Sequence, residues 1–395
     1  MMRIFFKTIW NNRRRNILVF IELFMISLVM VNLTIYLVNM LSIYRIRNCY
    51  DTHNVVLVNI SKKSDEDKKI TEQSFQNLKK VFSSNSFVES VSMSNSAIPY
   101  NYNVEVDEFK HDNDHFNLSL RQVDIDYAKV MKITPISGRW FDETDLGKAV
   151  PPVIVSKEID EKYFKGDALG KRITQDKNLY EIVGIVERFK RSDIESPSPF
   201  AYFFKDSVKA ELNYWETSML IRTKENKTGD MLAVAESQVY STLNPENWTI
   251  DGLNSLENMR AQQNVMSYQS NYLTVIVALF IMINVFLGTI GILWYNTNLR
   301  IHEIGIKRAL GSTGKRIKRL LITENLVIAG LALLIVILIM LQIPKLVYRG
   351  QTESGVLSWS IWISVIMMII LVLLSTWIPA SIASKIHPAI ALKTE

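Results

Sequence analysis

Four long apolar stretches constrain the fold of this chain more than any other feature of its sequence. They cover residues 17–41, 272–295, 321–343 and 357–380. A helix needs about 20 mostly apolar residues to cross the hydrocarbon layer of a membrane. A buried helix of a soluble protein would carry a polar stripe at this length, whereas the third stretch is uncharged from Leu326 to Ile343. Four membrane-spanning helices are therefore predicted.

The first stretch raises a second interpretation, because three arginines precede it as in a secretion signal. Its apolar run over 17–41 is longer than the ~7–15 residues of a signal's apolar region, and no A-x-A-like cleavage site follows it. We therefore expect a retained anchor. Residues 1–16 are predicted to form a short interfacial helix on the cytoplasmic side.

The charge distribution predicts the orientation of the chain. Segment 42–271 holds 29 Lys and Arg against 34 Asp and Glu, a net charge of −5; the rest holds 16 against 5, or +11, and together they give the +6 of the whole chain. Positive loops stay in the cytoplasm. The basic segment 296–320 and both termini are therefore expected inside, and 42–271 outside. The net positive charge reflects membrane topology and is no sign of nucleic-acid binding.

The outer segment is predicted to be a globular α+β domain, with an inserted subdomain at about 132–225. Helices are expected at 67–83 and 229–242. Strands are expected at 53–60, 88–94, 152–156, 180–188, 199–204, 216–223 and near 247–251. The fold class is thus an α-helical membrane protein with four transmembrane helices and a large α+β extracytoplasmic domain inserted between the first and second helices.

The junctions with the membrane are expected to be stalk helices. Residues 254–271 contain neither Gly nor Pro and run directly into the second span. A continuous helix would transmit movement between domain and membrane, whereas a flexible linker, the open alternative, would not. A short extracytoplasmic loop at 344–356 and a cytoplasmic tail at 381–395 complete the predicted layout.

Motifs for catalysis are absent from the sequence. There is no P-loop, no G-x-S-x-G elbow and no H-E-x-x-H. His111 and His115 bracket two acids in HDNDH, but the surroundings are polar, so a solvated loop is favoured over a metal site. The lone Cys49 excludes a disulfide framework and is expected to be incidental. No catalytic, cofactor or metal residues are predicted, and the chain is not expected to be an enzyme.

Three polar residues fall within the spans. Glu22 and Asn32 lie in the first and Glu324 near the start of the third. A carboxylate deep in the bilayer usually marks a pathway or relay. Both Glu residues are close to the predicted cytoplasmic face, so snorkelling or a protonated, hydrogen-bonded structural role is favoured. The absence of a mid-membrane charged pair disfavours a proton-coupled transporter.

The most specific pattern lies in the cytoplasmic loop, RIHEIGIKRALGSTGKRIKR at 300–319. It predicts a short amphipathic helix that ends at Gly311, followed by a turn and a second helix that becomes the third span. Apolar residues of this helix could face the membrane or a partner groove, namely Ile301, Ile304, Ala309 and Leu310. A helix–Gly–helix layout suits docking into a protein cleft better than a plain basic loop does.

This loop resembles the signature R-x-x-E-I-G-I-x-x-A-x-G-A of the MacB/FtsX-like permeases, the membrane subunits of mechanically acting ABC systems. The matching residues are Arg300, Glu303, Ile304, Gly305, Ile306, Ala309 and Gly311, while Ser312 replaces the commoner Ala. The C-terminal sequence is similar to a second family pattern at Pro379, Ala380, Ala383, Pro388, Ala391, Leu392 and Glu395. The outer segment resembles the MacB-type core domain at Gly138, Arg139, Phe141, Gly170, Gly184 and Val186.

The resemblance implies a permease that pairs with a second copy or a paralogue and binds a separate cytoplasmic ABC ATPase. The coupling loop would comprise Arg300, Glu303, Ile304, Gly305, Ile306, Lys307, Arg308, Ala309, Leu310 and Gly311. ATP and Mg²⁺ would bind to the partner, since only sixteen residues precede the first span and none of them could form an ATPase. The implied location is the bacterial cytoplasmic (inner) membrane, where the lipid bilayer is a further partner. A periplasmic adaptor and an outer-membrane channel stay open as further partners.

Several functions remain open at this stage. The expected one is efflux of a peptide, toxin, antibiotic or lipid-linked cargo, driven by movement of the outer domain. The alternatives are a membrane-anchored sensor or scaffold and an FtsX-like regulator of cell-wall hydrolases. A sensor would need fewer spans and no coupling loop. A secondary transporter would need more spans.

Overall fold

The computed structural model describes residues 13–46, 48–63, 68–95, 97–100, 105–112, 114–190, 193, 195–204, 216–342 and 355–385. Two units make up the chain. One consists of Met1–Ser42 with Gln269–Glu395 and is called the spanning unit here; the other, Ile43–Tyr268, is called the globular unit. Predictions for residues 1–12, most of 344–356 and the end of the tail, with Pro388, Ala391, Leu392 and Glu395, lie outside the described residues.

The helices, in chain order, are α1 (Arg13–Arg45), α2 (Lys68–Ser83), α3 (Tyr127–Met131), α4 (Lys157–Tyr163), α5 (Thr228–Thr242), α6 (Leu256–Asn298), α7 (Ile301–Ala309), α8 (Gly314–Met340) and α9 (Val356–Ala383). The strands are β1 (Val55–Lys62), β2 (Val88–Asn95), β3 (Glu105–His111), β4 (Asp114–Val123), β5 (Ser137–Gly138), β6 (Pro152–Ser156), β7 (Arg172–Gln175), β8 (Asn178–Val186), β9 (Phe200–Phe204), β10 (Glu216–Thr223) and β11 (Trp248–Ser255).

Four helices, α1, α6, α8 and α9, are long and apolar enough to cross a membrane. They coincide with the four predicted stretches. Helix α6 is continuous from Leu256 to Asn298, which confirms the prediction that the second span extends without a break toward residue 254. In the spanning unit, α1, α8 and α9 share a core that includes Leu23, Ala332 and Val372, all fully buried.

Four antiparallel strands, in the order β11-β1-β10-β2, form the first part of the sheet in the globular unit. One face, with Val56 and Val58 of β1, packs under α2 and α5 against Phe75 and Trp248. The opposite face, with Val55 and Leu57, packs toward α3. Successive side chains of a strand point to opposite faces, so β1 is apolar on both sides.

The other strands close into a six-stranded barrel. The pairings run β4-β3-β7-β8-β6-β9, and β9 returns to pair in parallel with β4, with Ser119 opposite Phe200. The barrel interior is filled by apolar side chains such as Phe109, Leu118 and Val153. Alternate residues on the outside of the same strands, including Tyr202, join the core shared with the first sheet.

The hairpin β3–β4 corrects one prediction. Residues 105–123 were not expected to form strands, and HDNDH was expected to be a solvated loop. His111 instead ends β3, and His115 is the second residue of β4, with His111 opposite Asp114 and Lys110 opposite His115. The inserted subdomain at 132–225 stays a prediction, although β3 and β4, which precede residue 132, belong to the same barrel as β7 and β9.

Candidate functional site

The predicted coupling loop contains the short helix α7 and joins α6 to α8 in the spanning unit. Helix α7 runs from Ile301 to Ala309, and the chain reverses at Gly311, whose φ of +89° lies in the left-handed region that favours glycine. The Thr313 hydroxyl then accepts a hydrogen bond from the backbone N–H of Arg316 and caps α8. The predicted helix–Gly–helix layout is therefore present.

One face of α7 packs on the chain's own helices. Ile304 is 4% exposed and lies in a cluster with Ile317 and Leu321 of α8 and with Ala380 and Ala383 of α9. This corrects the expectation that Ile304 faces the membrane or a partner groove. It also explains why the loop motif and the C-terminal Pro-Ala motif occur together, because their apolar residues form a single cluster.

The opposite face of α7 is open. Leu310 is 81% exposed and Ile306 is 42% exposed, and Ala309 and Gly311 are exposed as well. Gly305 is buried beside Ile304, whereas Lys307 and Arg308 are half-buried. Among the described residues of the loop, Leu310 is the most prominent apolar side chain.

A buried ion pair fixes the start of α7. The Nη1 atom of Arg300 lies 2.7 Å from Oε2 of Glu324, and these side chains are only 5% and 3% exposed. The Arg300 Nε is also 3.5 Å from Glu303. Glu324 is therefore buried and hydrogen-bonded to Arg300 and does not snorkel to the membrane surface, as expected for a hydrogen-bonded structural role. Both residues are visible in the sequence, but no sequence pattern predicts that they pair with each other.

Two further contacts fasten the loop to the end of α9. A Cβ at Gly314 would lie 2.8 Å from the carbonyl oxygen of Ser384, so the first residue of α8 needs to be glycine for this approach. The ammonium group of Lys318 lies 3.3 Å from the ring centroid of Trp377, a cation–π contact. Sequence reasoning singled out neither contact.

The family residues of the globular unit have structural roles. Gly138, with φ +75°, pairs with Gly184, and a Cβ on either residue would lie 2.3 Å from a backbone oxygen. Asp145 is fully buried and accepts two hydrogen bonds of 2.6 Å from the Arg139 guanidinium. Burial alone would raise the pKa of Asp145, but the bonds from Arg139 and Lys148 hold it well below its ordinary value.

The remaining candidate residues take ordinary roles. His111 Nδ1 lies 2.8 Å from the carbonyl oxygen of Arg172, and His115 Nδ1 lies 2.8 Å from Glu108. Burial raises the pKa of the Cys49 thiol to about 12. A protonated thiol is a poor nucleophile, and the expectation that Cys49 is incidental stays a prediction.

Comparisons with known proteins agree with this architecture. The MacB-like periplasmic core domain matches residues 24–236, more than half of the chain, and the FtsX-like permease C-terminal domain matches residues 275–388. The macrolide export ATP-binding/permease protein MacB of Escherichia coli K12 is 21% identical over 284 residues, which cover 68% of this chain and 42% of that protein. The chain thus matches less than half the length of this relative.

Two solved structures are also similar to the chain. They are the periplasmic region of MacB from Actinobacillus actinomycetemcomitans (12% identity, TM-score 0.37, 53% of this chain and 92% of that one) and the extracellular domain of the noncanonic ABC-type transporter YknZ from Gram-positive bacteria (16%, 0.36, 50% and 100%). On the two family matches, which together take in the core domain and the permease helices, the chain belongs to the MacB/FtsX-like family of ABC transporter permeases.

Proposed function

We propose that this chain is the permease subunit of an efflux complex and that α7 receives a separate cytoplasmic ATPase. The observation that carries the proposal is the division of α7 into two faces. Ile304 is packed on α8 and α9, while Leu310 and Ile306 are open. A helix with one apolar face fixed and another free fits a docking element.

The contacts of α7 support transmission of force within the spanning unit. The Arg300–Glu324 pair and the Ile304 cluster hold the first half of the helix against α8. Packed helices move together as a rigid body and deform little. A force applied at Leu310 would therefore move α8 and α9 together with α7. In the proposal, ATP and Mg²⁺ act on the partner, and this chain converts closure of the ATPase into helix movement.

The proposal extends to topology, partners and cargo. The loop and both termini face the cytoplasm of a bacterial inner membrane, and the globular unit lies outside it. A second permease copy or a paralogue completes the membrane part, and a periplasmic adaptor and an outer-membrane channel are further candidate partners. The cargo is a peptide, toxin, antibiotic or lipid-linked molecule delivered from the outer side. Family membership and the positive charge of 296–320 support these points.

Co-purification from native membranes tests the docking surface. Tagged wild-type chain should recover an ABC ATPase, and Leu310→Ser should lower the recovered amount about tenfold or more, since one apolar anchor of an interface contributes ~2 kcal/mol. The matched control is His302→Ser, because His302 is an exposed residue on the same helix. Wild-type recovery with Leu310→Ser would contradict the docking surface.

Two other variants test coupling. Glu303→Lys places a second cation beside Arg300, and Gly305→Trp forces a large ring into a buried position. Both should uncouple ATP hydrolysis or release the ATPase, and normal coupling in both would contradict the assignment of the loop.

Topology is tested separately with protease added to intact spheroplasts. The protease should cleave within 42–271, and protection of that segment would contradict the orientation.

A further inference from the structure

The segment that follows β8 contacts both ends of the globular unit, where the chain enters it and where it leaves. Lys190 is 3% exposed. Its ammonium group donates hydrogen bonds to the carbonyl oxygens of Ile43, Ile46 and Asp193 at 3.0, 3.1 and 2.8 Å. Ile43 lies in the last turn of α1, so Lys190 holds the end of that helix.

Asp193 makes the corresponding contact with the start of α6. Its Oδ2 atom accepts hydrogen bonds from Arg260 Nε and Asn264 Nδ2, both at 2.8 Å. The Tyr50 hydroxyl also donates to the carbonyl oxygen of Lys190 at 2.6 Å. Lys190 and Asp193, which follow barrel strand β8 in the sequence, therefore bind two helices that are far apart in sequence.

The chemistry of Lys190 makes this link strong and directional. The last carbonyl groups of a helix have no partner within it, and a cation near them is favourable. An ammonium group has three donors, and three carbonyl oxygens accept from Lys190. Burial lowers the pKa of Lys190, and the nearby carboxylate of Asp193 opposes that shift.

Apolar packing joins Leu256, at the start of α6, to Phe189 and Tyr202 in one core, but that packing is interrupted beside Lys190. A cavity of about 510 Å³ borders Lys190, Asp193 and Arg260, and four tyrosines line it as well: Tyr44, Tyr50, Tyr100 and Tyr268. Tyr44 and Tyr268 stack with their ring centroids 6.3 Å apart. The ends of α1 and α6 could shift into this space if the polar contacts were broken.

We propose that Lys190 and Asp193 are positioning residues that make the end of α1, the start of α6 and the barrel move as one body during the transport cycle. We call them the stalk clamp. The inference rests on the proposed function, because the ATPase supplies the movement that the clamp would transmit. Without the clamp, the start of α6 would keep its apolar contacts with the core through Leu256, but less of the helix movement would reach the barrel.

Distance measurements between spin labels on the full chain with its ATPase test the clamp. The background is Cys49→Ser, since Cys49 is the sole cysteine. One pair joins Arg45, at the end of α1, to Asp167 beside the barrel; a second joins Gln262, on α6, to Asp167. A third pair, Asp112 with Glu236, reports on the fold away from the clamp. All five positions are exposed.

Each variant changes the polar group of one side chain. Lys190→Met keeps the length of the side chain but removes the ammonium group, and it should broaden the Arg45–Asp167 distances. Asp193→Asn should broaden the Gln262–Asp167 distances. The detached population should rise about tenfold in Asp193→Asn and by more than that in Lys190→Met, since losing one hydrogen bond to a charged group gives about a tenfold change. The matched control is Lys177→Met, an exposed lysine outside the clamp, which should leave every distance unchanged.

The results distinguish loss of the clamp from general unfolding and from failure of the docking surface on α7. Unchanged distances in Lys190→Met and Asp193→Asn, with or without ATP, would overturn the inference. So would equal broadening of the Asp112–Glu236 pair, since that indicates general unfolding. Arg260→Gln, at a residue whose side chain is 43% exposed, provides a milder variant. ATPase recovery should stay at the wild-type level in clamp variants, whereas Leu310→Ser should lower it.

Discussion

Two buried cations, Arg300 in the spanning unit and Lys190 in the globular unit, are held in different ways. Arg300 pairs with the carboxylate of Glu324, so both partners are charged side chains. Among the described residues, the acceptors of the Lys190 ammonium group are three backbone carbonyl oxygens. In the first arrangement, Glu324 is conspicuous because it lies in an otherwise apolar span, whereas Arg300 is one of several basic residues in 296–320. The second requires one lysine in a domain rich in lysine, and its acceptors could belong to any residue type.

This difference explains what the sequence could and could not predict. Charge and hydropathy indicated all four spanning helices and the loop around α7. They also marked Glu324 as unusual without identifying Arg300 as its partner, because pairing across 24 residues depends on how α7 folds back on α8. The role of Lys190 could not be predicted from the sequence, because every residue type has a backbone carbonyl group that could accept its hydrogen bonds.

The β-strands also could be predicted only in part from the sequence. Most strands were expected from their apolar runs, but β3 and β4 are charge-rich on their open face. An alternating pattern was present, because Phe116, Leu118 and Leu120 point into the barrel. Closure of the barrel through β4 and β9 could not be predicted, since nothing local specifies a parallel pairing between distant strands.

Breaking the Arg300–Glu324 pair should have the largest effect on stability. Glu324→Gln leaves a buried guanidinium without its counter-charge, and we expect a loss of about 3–5 kcal/mol. The measurement is unfolding of the full chain in detergent. The exchange Arg300→Glu with Glu324→Arg should recover part of the loss. If Glu324→Gln unfolds like the wild-type chain, the pair does not stabilise α7.

Close backbone contacts offer a second test, because they leave no room for any side chain. Gly184→Ala places a Cβ 2.3 Å from the carbonyl oxygen of Arg139, and overpacking of this kind costs about 1–3 kcal/mol. The control is Gly147→Ala, where nothing lies within 4 Å and only the φ of +70° is unfavourable. Hydrogen exchange of 137–186 in the full chain should rise more with Gly184→Ala. Equal exchange in both would contradict the role of the close approach.

The Arg139–Asp145 pair tests how exposure changes the strength of a buried ion pair. Like Arg300–Glu324, it joins a guanidinium to a carboxylate, but the Arg139 side chain is 39% exposed. Asp145→Asn should therefore cost less, about 1.5 kcal/mol. The folded pKa of Asp145 lies below its unfolded value near ~3.9, so the contribution is complete above that pH and is lost as the pH falls further. Unfolding measured between pH 7 and pH 3 should show this loss in the wild-type chain and not in Asp145→Asn.

Closure of the barrel also sets an order of events during synthesis. Strand β4 has its parallel partner at Phe200–Phe204, so the barrel cannot close until the ribosome has passed Phe204. Strand β1 has to wait longer still, because Val56 pairs with Ser255. Pairings between distant segments form slowly. The first half of the globular unit therefore stays incomplete until its last strand has been made, and a chain that stopped before Ser255 would have no finished sheet to fold onto.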